Sequence, residues 1–263
     1  MVSRRHVAVC RETRRHHPGV SRERECVMKL RFVFVLSLIG TASSAFGVAQ
    51  VRAVHASPDA PNVDVLVNDG IAFSNLPFRS ASVYAPLTAG TYNIKVRPTG
   101  LPGPTVIDAN LPLADNTTYS VAAINTLSSI SALVLTDDNT LNPTAARIRF
   151  VHASANAPAV DIALAGGGAV LFPNVTFGNS GGYISVPGGT YNLEVRLAGT
   201  STVVLPVSGL AVSNNTVSTV WAMGLVGNQT TPLEAVVTPD AIPAPGALAL
   251  LGFGGLLASR RRR

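Results

Sequence analysis

Cysteine is almost missing from this chain: two in 263 residues, Cys10 and Cys26, both ahead of the first segment with export character. From Met28 onward there is none, which excludes a disulfide scaffold and leaves stability to packed cores. Aromatic residues make up 6% of the chain, with a single tryptophan, Trp221. No apolar run reaches the roughly 20 residues of a comfortable membrane-spanning helix, and no stretch of the body repeats its apolar residues at helical period. Charge is sparse at 13%, and the net +6 sits at the ends. Residues 1–47 hold nine of the twenty Lys and Arg, and four arginines close the chain. Residues 48–259 keep seven basic and eleven acidic side chains, a net of −4. That balance gives no footprint for phosphate and excludes a nucleic-acid partner.

What is present begins with an export signal. Lys29 and Arg31 precede the apolar stretch 32–39, and Ala45 and Gly47 place small residues at the −3 and −1 positions of a cleavage site. Residues 28–47 are therefore expected to be a signal peptide. Residues 1–27, Arg-rich and without an apolar face, are expected to lie upstream of the true start at Met28. At the other end Pro243, Ala244 and Pro245 precede the apolar segment 246–258, and Arg260, Arg261, Arg262 and Arg263 follow. Motif, short apolar segment and basic stop make residues 243–263 a sorting or anchor segment. It resembles the PEP-CTERM sorting domain of exosortase substrates in Gram-negative bacteria, departing from it in Ala244 where that family has Glu. The resemblance implies an exosortase-like processing enzyme as partner and transient anchoring at the inner membrane.

Between the ends the chain aligns with itself. "RAVHASPDAPNVDV" at 52–65 returns as "RFVHASANAPAVDI" at 149–162, "YAPLTAGTYNIKVR" at 84–97 as "YISVPGGTYNLEVR" at 183–196, and "NTTYSVAAI" at 116–124 as "NTVSTVWAM" at 215–223. Two repeats, 50–143 and 146–240, are expected in series, with "NPTAA" at 142–146 as linker. Val63, Val65 and Val67, and Tyr92, Ile94 and Val96, recur at period two, the spacing that turns one strand face to a core. Pro and Gly punctuation gives about seven short strands per repeat, so the fold class is all-β: two tandem antiparallel β-sandwiches. The two "VHAS…AP.VD" segments and the "GTYN" strands resemble the domain of unknown function 4397 family, bacterial secreted domains. The resemblance implies an Ig-like extracellular domain and no established activity.

The repeated His55, Ser57 and Asp64, with His152, Ser154 and Asp161, have the residue types of a base, a nucleophile and an orienting acid, and a secreted serine hydrolase is one reading. The serines lie in no nucleophile elbow, and no Gly-rich loop beside them offers an oxyanion hole. A turn framework explains more. Pro58 fits the second position of a turn, and Asp59 is a backbone-binding turn residue whose place Asn156 takes in the second copy without a charge. Asp59, Asp64 and Asp69 near His55 raise calcium binding in the first repeat, but only Asp161 of the three carboxylates returns in the second. Tyr84, Tyr183 and Trp221, which together could meet a glycan, read as core residues. The resulting expectation is a non-enzymatic, exported protein of the cell envelope, surface or extracellular matrix, structural or adhesive, needing no cofactor. Extracellular polysaccharide or matrix is its expected partner, and a calcium- or glycan-binding surface module is the alternative.

Overall fold

A computed structural model describes residues 47–100 and 103–241. The signal residue Ala45 and the sorting residues Pro243 to Pro245 and Arg260 to Arg263 lie outside them. Among the described residues no helix is long and apolar enough to cross a membrane.

The described chain is all-β, with four sheets forming two sandwich-like bodies. The first repeat contains β1 (Val48–His55), β2 (Val63–Val67), β3 (Gly70–Leu76), β4 (Ser80–Ala81), β5 (Ala85–Thr88), β6 (Gly90–Pro98), β7 (Ile107–Leu113), β8 (Thr118–Ile124) and β9 (Ser131–Asp137). One of its sheets runs β4-β1-β8-β9, with β5 also on β1; the other runs β3-β2-β6-β7. The second repeat contains β10 (Ala146–His152), β11 (Val160–Leu164), β12 (Val170–Val175), β13 (Ser180–Val186), β14 (Gly189–Leu197), β15 (Val203–Val212), β16 (Val217–Met223) and β17 (Glu234–Ala241). Its sheets run β13-β10-β16-β17 and β12-β11-β14-β15.

Two expectations are corrected. The sheets are not purely antiparallel, because β1 lies parallel to β8 and β10 parallel to β16. A parallel neighbour needs a long crossover, and here the crossover is the whole opposite sheet, which the chain builds before returning beside its first strand. The count also exceeds seven per repeat. In the first repeat the strand beside β1 breaks into β4 and β5, because the Ser82 hydroxyl, not a ladder carbonyl, accepts the Ala53 N–H at 2.9 Å.

Each sandwich has its own core. Val51, Ala53, Val63, Val65, Ile94 and Val96 belong to the first; Ile148, Phe150, Val160, Ile162, Leu193 and Val195 hold the matching places in the second. A third core joins the repeats, made of Val54, Ala56, Ala122 and Ile124 from one and Val151, Ala153, Trp221 and Met223 from the other. Strands β1, β8, β10 and β16 are thus covered on both faces, which is why they read as nearly continuous apolar runs.

Candidate functional site at the seam between the repeats

The repeated motif comes first, because it sets the strands that build the seam. His55 and Ser57 are fully buried. The His55 Nε2–H donates to the Pro61 carbonyl at 3.0 Å, and its Nδ1 receives the Ser57 N–H at 3.4 Å, so the ring closes the turn that Pro58 and Asp59 make. His152 does the same with Pro158 and Ser154, at 3.0 and 3.3 Å. Burial holds both imidazoles below their ordinary pKa, opposed by the carbonyl each ring donates to. Among the described residues neither Ser57 Oγ nor Ser154 Oγ has a partner.

The acids of the motif also bind backbone. Asp59 accepts the Leu127 N–H at 2.7 Å, and Asn156 accepts the Val226 N–H at 2.8 Å. Each thereby ties the turn to the loop after the central strand, farther away than a local turn bond would reach. Asp64 accepts from Asn75 N–H at 2.9 Å and Thr99 Oγ1 at 2.8 Å; Asp161 accepts from Asn174 N–H at 2.7 Å and Gly199 N–H at 2.8 Å. Asn75 and Asn174 are left-handed residues, at φ 53° and 49°, beside irregular pairing of β2 with β3 and of β11 with β12. The Asn75 bond holds the Asp64 carboxyl below the usual carboxylate range. Asp69 is drawn off to Lys95 at 2.6 Å. Among the described residues no group of three His, Cys, Asp or Glu is placed to hold a metal ion.

The residues that sequence reasoning passed over lie in the seam. Arg52, on the face of β1 opposite its own core, reaches Asp240 of the second repeat, and Arg149 on β10 reaches Asp137 of the first at 2.6 Å. The arrangement is reciprocal throughout. Arg52 donates to the Pro239 carbonyl at 2.8 Å and Arg149 to the Thr136 carbonyl at 3.1 Å. Ser120 and Tyr84 donate to Asp137 at 2.6 and 2.7 Å; Thr219 and Tyr183 donate to Asp240 at the same distances. Each guanidinium lies over a tyrosine ring, Arg52 at 4.8 Å from the Tyr84 centroid and Arg149 at 4.6 Å from that of Tyr183. Burial raises both phenols well above the ordinary tyrosine range, and the carboxylate beside each adds to the effect. The two tyrosines and Trp221 therefore belong to the seam and not to the core of either repeat. Trp221 stands where the first repeat has Ala122, and its indole N–H donates to Thr238 at 3.0 Å. A sequence signal did exist: a repeated arginine inside an apolar strand, in a body with only seven basic residues.

Beside this lock is an open groove of about 470 Å³, lined by Arg52 and residues 79–84 except Ser80 from the first repeat, and by residues 236–241 of β17. Its size falls in the range of ligand sites. Arg79 closes one part of it, bridging the repeats through Glu234 at 2.6 Å and the Pro232 carbonyl. It does so from a left-handed backbone, φ 66°, where the second repeat has Gly178 at φ 76°. A separate cavity of about 50 Å³ lies in the apolar core of the first sandwich, between Ala53, Val121 and Val134 on one sheet and Val65, Ile94 and Val96 on the other.

The family comparison matches residues 49–163 to the domain of unknown function DUF4397. Residues 49–163 are a DUF4397 domain. The DUF4397 match takes in all of the first repeat and stops inside β11 of the second. No curated protein matches the sequence. Among solved structures, the crystal structure of CBMbc (family CBM26) from Eubacterium rectale Amy13K in complex with maltoheptaose aligns over 73% of this chain and 97% of its own. Identity is 11% and the TM-score 0.25, so the likeness carries no argument about function.

Proposed function

We propose that this chain is an exported, non-enzymatic protein of the bacterial envelope or extracellular matrix, whose two Ig-like sandwiches serve as a structural or adhesive module. The observation that carries the non-enzymatic part is the burial of the repeated pair. His55, Ser57, His152 and Ser154 are at most 1% exposed, and both imidazoles spend their two nitrogens on the turn beside them. A nucleophile and base must meet a substrate, and these face only protein. The export part rests on residues 28–47 and 243–263: the first directs secretion, and the second holds the chain at the inner membrane until an exosortase-like enzyme cuts near Pro245. Matrix polysaccharide is the partner class such a location offers.

One experiment tests both parts. The native host is fractionated, the protein is taken from each fraction, exposed to a fluorophosphonate probe and weighed intact. The expected species is extracellular or surface-bound, begins after Gly47, lacks the four terminal arginines and carries no probe. Probe on Ser57 or Ser154 would establish a hydrolase instead, and a cytoplasmic full-length species would refute export.

A further inference from the structure

Two alanines inside the first sandwich stand where the second has larger side chains. Ala53 holds the place of Phe150, and Ala109, paired with Ile94, holds that of Val207, which pairs with Leu193 and packs against the second core. The Phe150 ring lies against buried Phe172, whereas Phe73, the counterpart of Phe172 in the first repeat, is only partly buried. The nearby Ala123 and Ala132 add no bulk, and the cavity of about 50 Å³ lies among these four alanines.

Its chemistry follows from its walls. Among the described residues that line it, Asn110 alone has a polar side chain. Ala109 and Leu111 on either side of Asn110 turn inward, so Asn110 points to the outer face of β7, where the Asn93 amide donates to it at 3.2 Å. No side chain of the wall therefore offers a water the two to four polar partners it needs, and a void of this kind stays dry and takes apolar guests. The mouth is placed by the exposed lining residues: Ala109 on β7, and Ala132 and Val134 on β9. These are the outer strands of the two sheets, so the cavity opens along the side of the sandwich away from β4 and β3.

We propose that this cavity is a binding site for the end of one saturated alkyl chain, which enters between β7 and β9 and sets its methyl group against Ala53. Size selects that guest. The cavity is about a third of the roughly 150 Å³ that holds benzene in an engineered core, and a water's share of the liquid is about 30 Å³, so an ethyl-sized end fits and a ring does not. The second sandwich, with Phe150 and Val207 in the matching places, serves as the filled control. Binding here is independent of export and of where the chain finally resides.

The test uses the full chain with ¹³C-labelled methyl groups, observed by NMR with 1-butanol as a free chain, with phosphatidylcholine vesicles as a source of membrane acyl chains, and with benzene as the size control. The expected result is a saturable shift of the Ala53, Ile94 and Val121 methyl signals with butanol, and none with vesicles or benzene. Ala53→Val and Ala109→Val each move the first sandwich toward the second, and each is expected to weaken butanol binding at least tenfold while the methyl signals of the second sandwich stay in place. Should Ala53→Val fail to fold, Ala109→Val, at an exposed position, decides alone. Absence of a saturable butanol shift would overturn the proposal. So would benzene binding as tightly as butanol, a response to vesicles alone, or undiminished butanol binding in a folded variant.

Discussion

Ser57 and Ser154 are enclosed at matching positions, and each hydroxyl lacks a partner among the described residues while its backbone N–H serves the neighbouring histidine. A buried polar atom without a partner is a cost, so its removal is expected to be neutral or favourable. Ser57→Ala and Ser154→Ala should leave the free energy of unfolding from urea titrations unchanged or raised by up to about 1 kcal/mol; a loss of about 2 kcal/mol in either would reveal a bond the hydroxyl makes. The histidines give a pH dependence of definite sign. Their folded pKa values lie below 6.5, so the unfolded chain takes up protons first as pH falls. The stability each contributes is complete above about pH 6.5 and declines as pH drops toward the folded value, by at most about 1.4 kcal/mol per pH unit for each ring. Urea titrations at pH 7, 6 and 5 should show the decline, and His55→Gln with His152→Gln should flatten it. An unchanged slope in the double variant would mean that the rings take up protons alike in the folded and the unfolded chain.

At the scale of strands, the two copies of one motif act as an internal control. Ala53 of β1 corresponds to Phe150 of β10, whose ring packs against Phe172 with centroids 6.4 Å apart. The cavity of about 50 Å³ in the first sandwich is lined by Ala53, and by the usual dependence on void volume it costs about 1 kcal/mol. Ala53→Val should recover part of that in thermal melts, whereas Phe150→Ala should lose about 3–5 kcal/mol; destabilisation by both would mean that the first core has no room. The same pairing of copies shows what was legible in the sequence. The strands around Val63–Val67 and Tyr92–Val96 follow from alternation, and Asn156 in place of Asp59 marks that position as a backbone acceptor, as both side chains prove to be. The parallel pairs and the split of β4 from β5 were not legible. The first joins residues 68 apart in sequence through an entire sheet, and the second turns on one serine hydroxyl. The lock was hidden for a like reason: Arg52 and Asp240 are 188 residues apart, and only folding brings the two copies face to face.

For the whole molecule, the reciprocal pairs make the seam an obligatory part of the fold. Two buried arginines and two buried aspartates satisfy one another across it, beside an apolar core that neither repeat can cover alone. Loss of one partner leaves a buried charge uncompensated, an effect of about 3–5 kcal/mol. Arg52→Ala should therefore destabilise both repeats through a residue of the first. Trp221, the sole tryptophan, is fully buried in the seam and reports on it directly. Urea unfolding of the whole chain, followed by Trp221 fluorescence and by far-ultraviolet circular dichroism on the same samples, tests the claim that the two repeats fold as one body. The account predicts a single transition, coincident by both probes, that moves to lower urea in Arg52→Ala. A first transition in the wild-type chain that removes half the circular dichroism signal while Trp221 stays buried would contradict it.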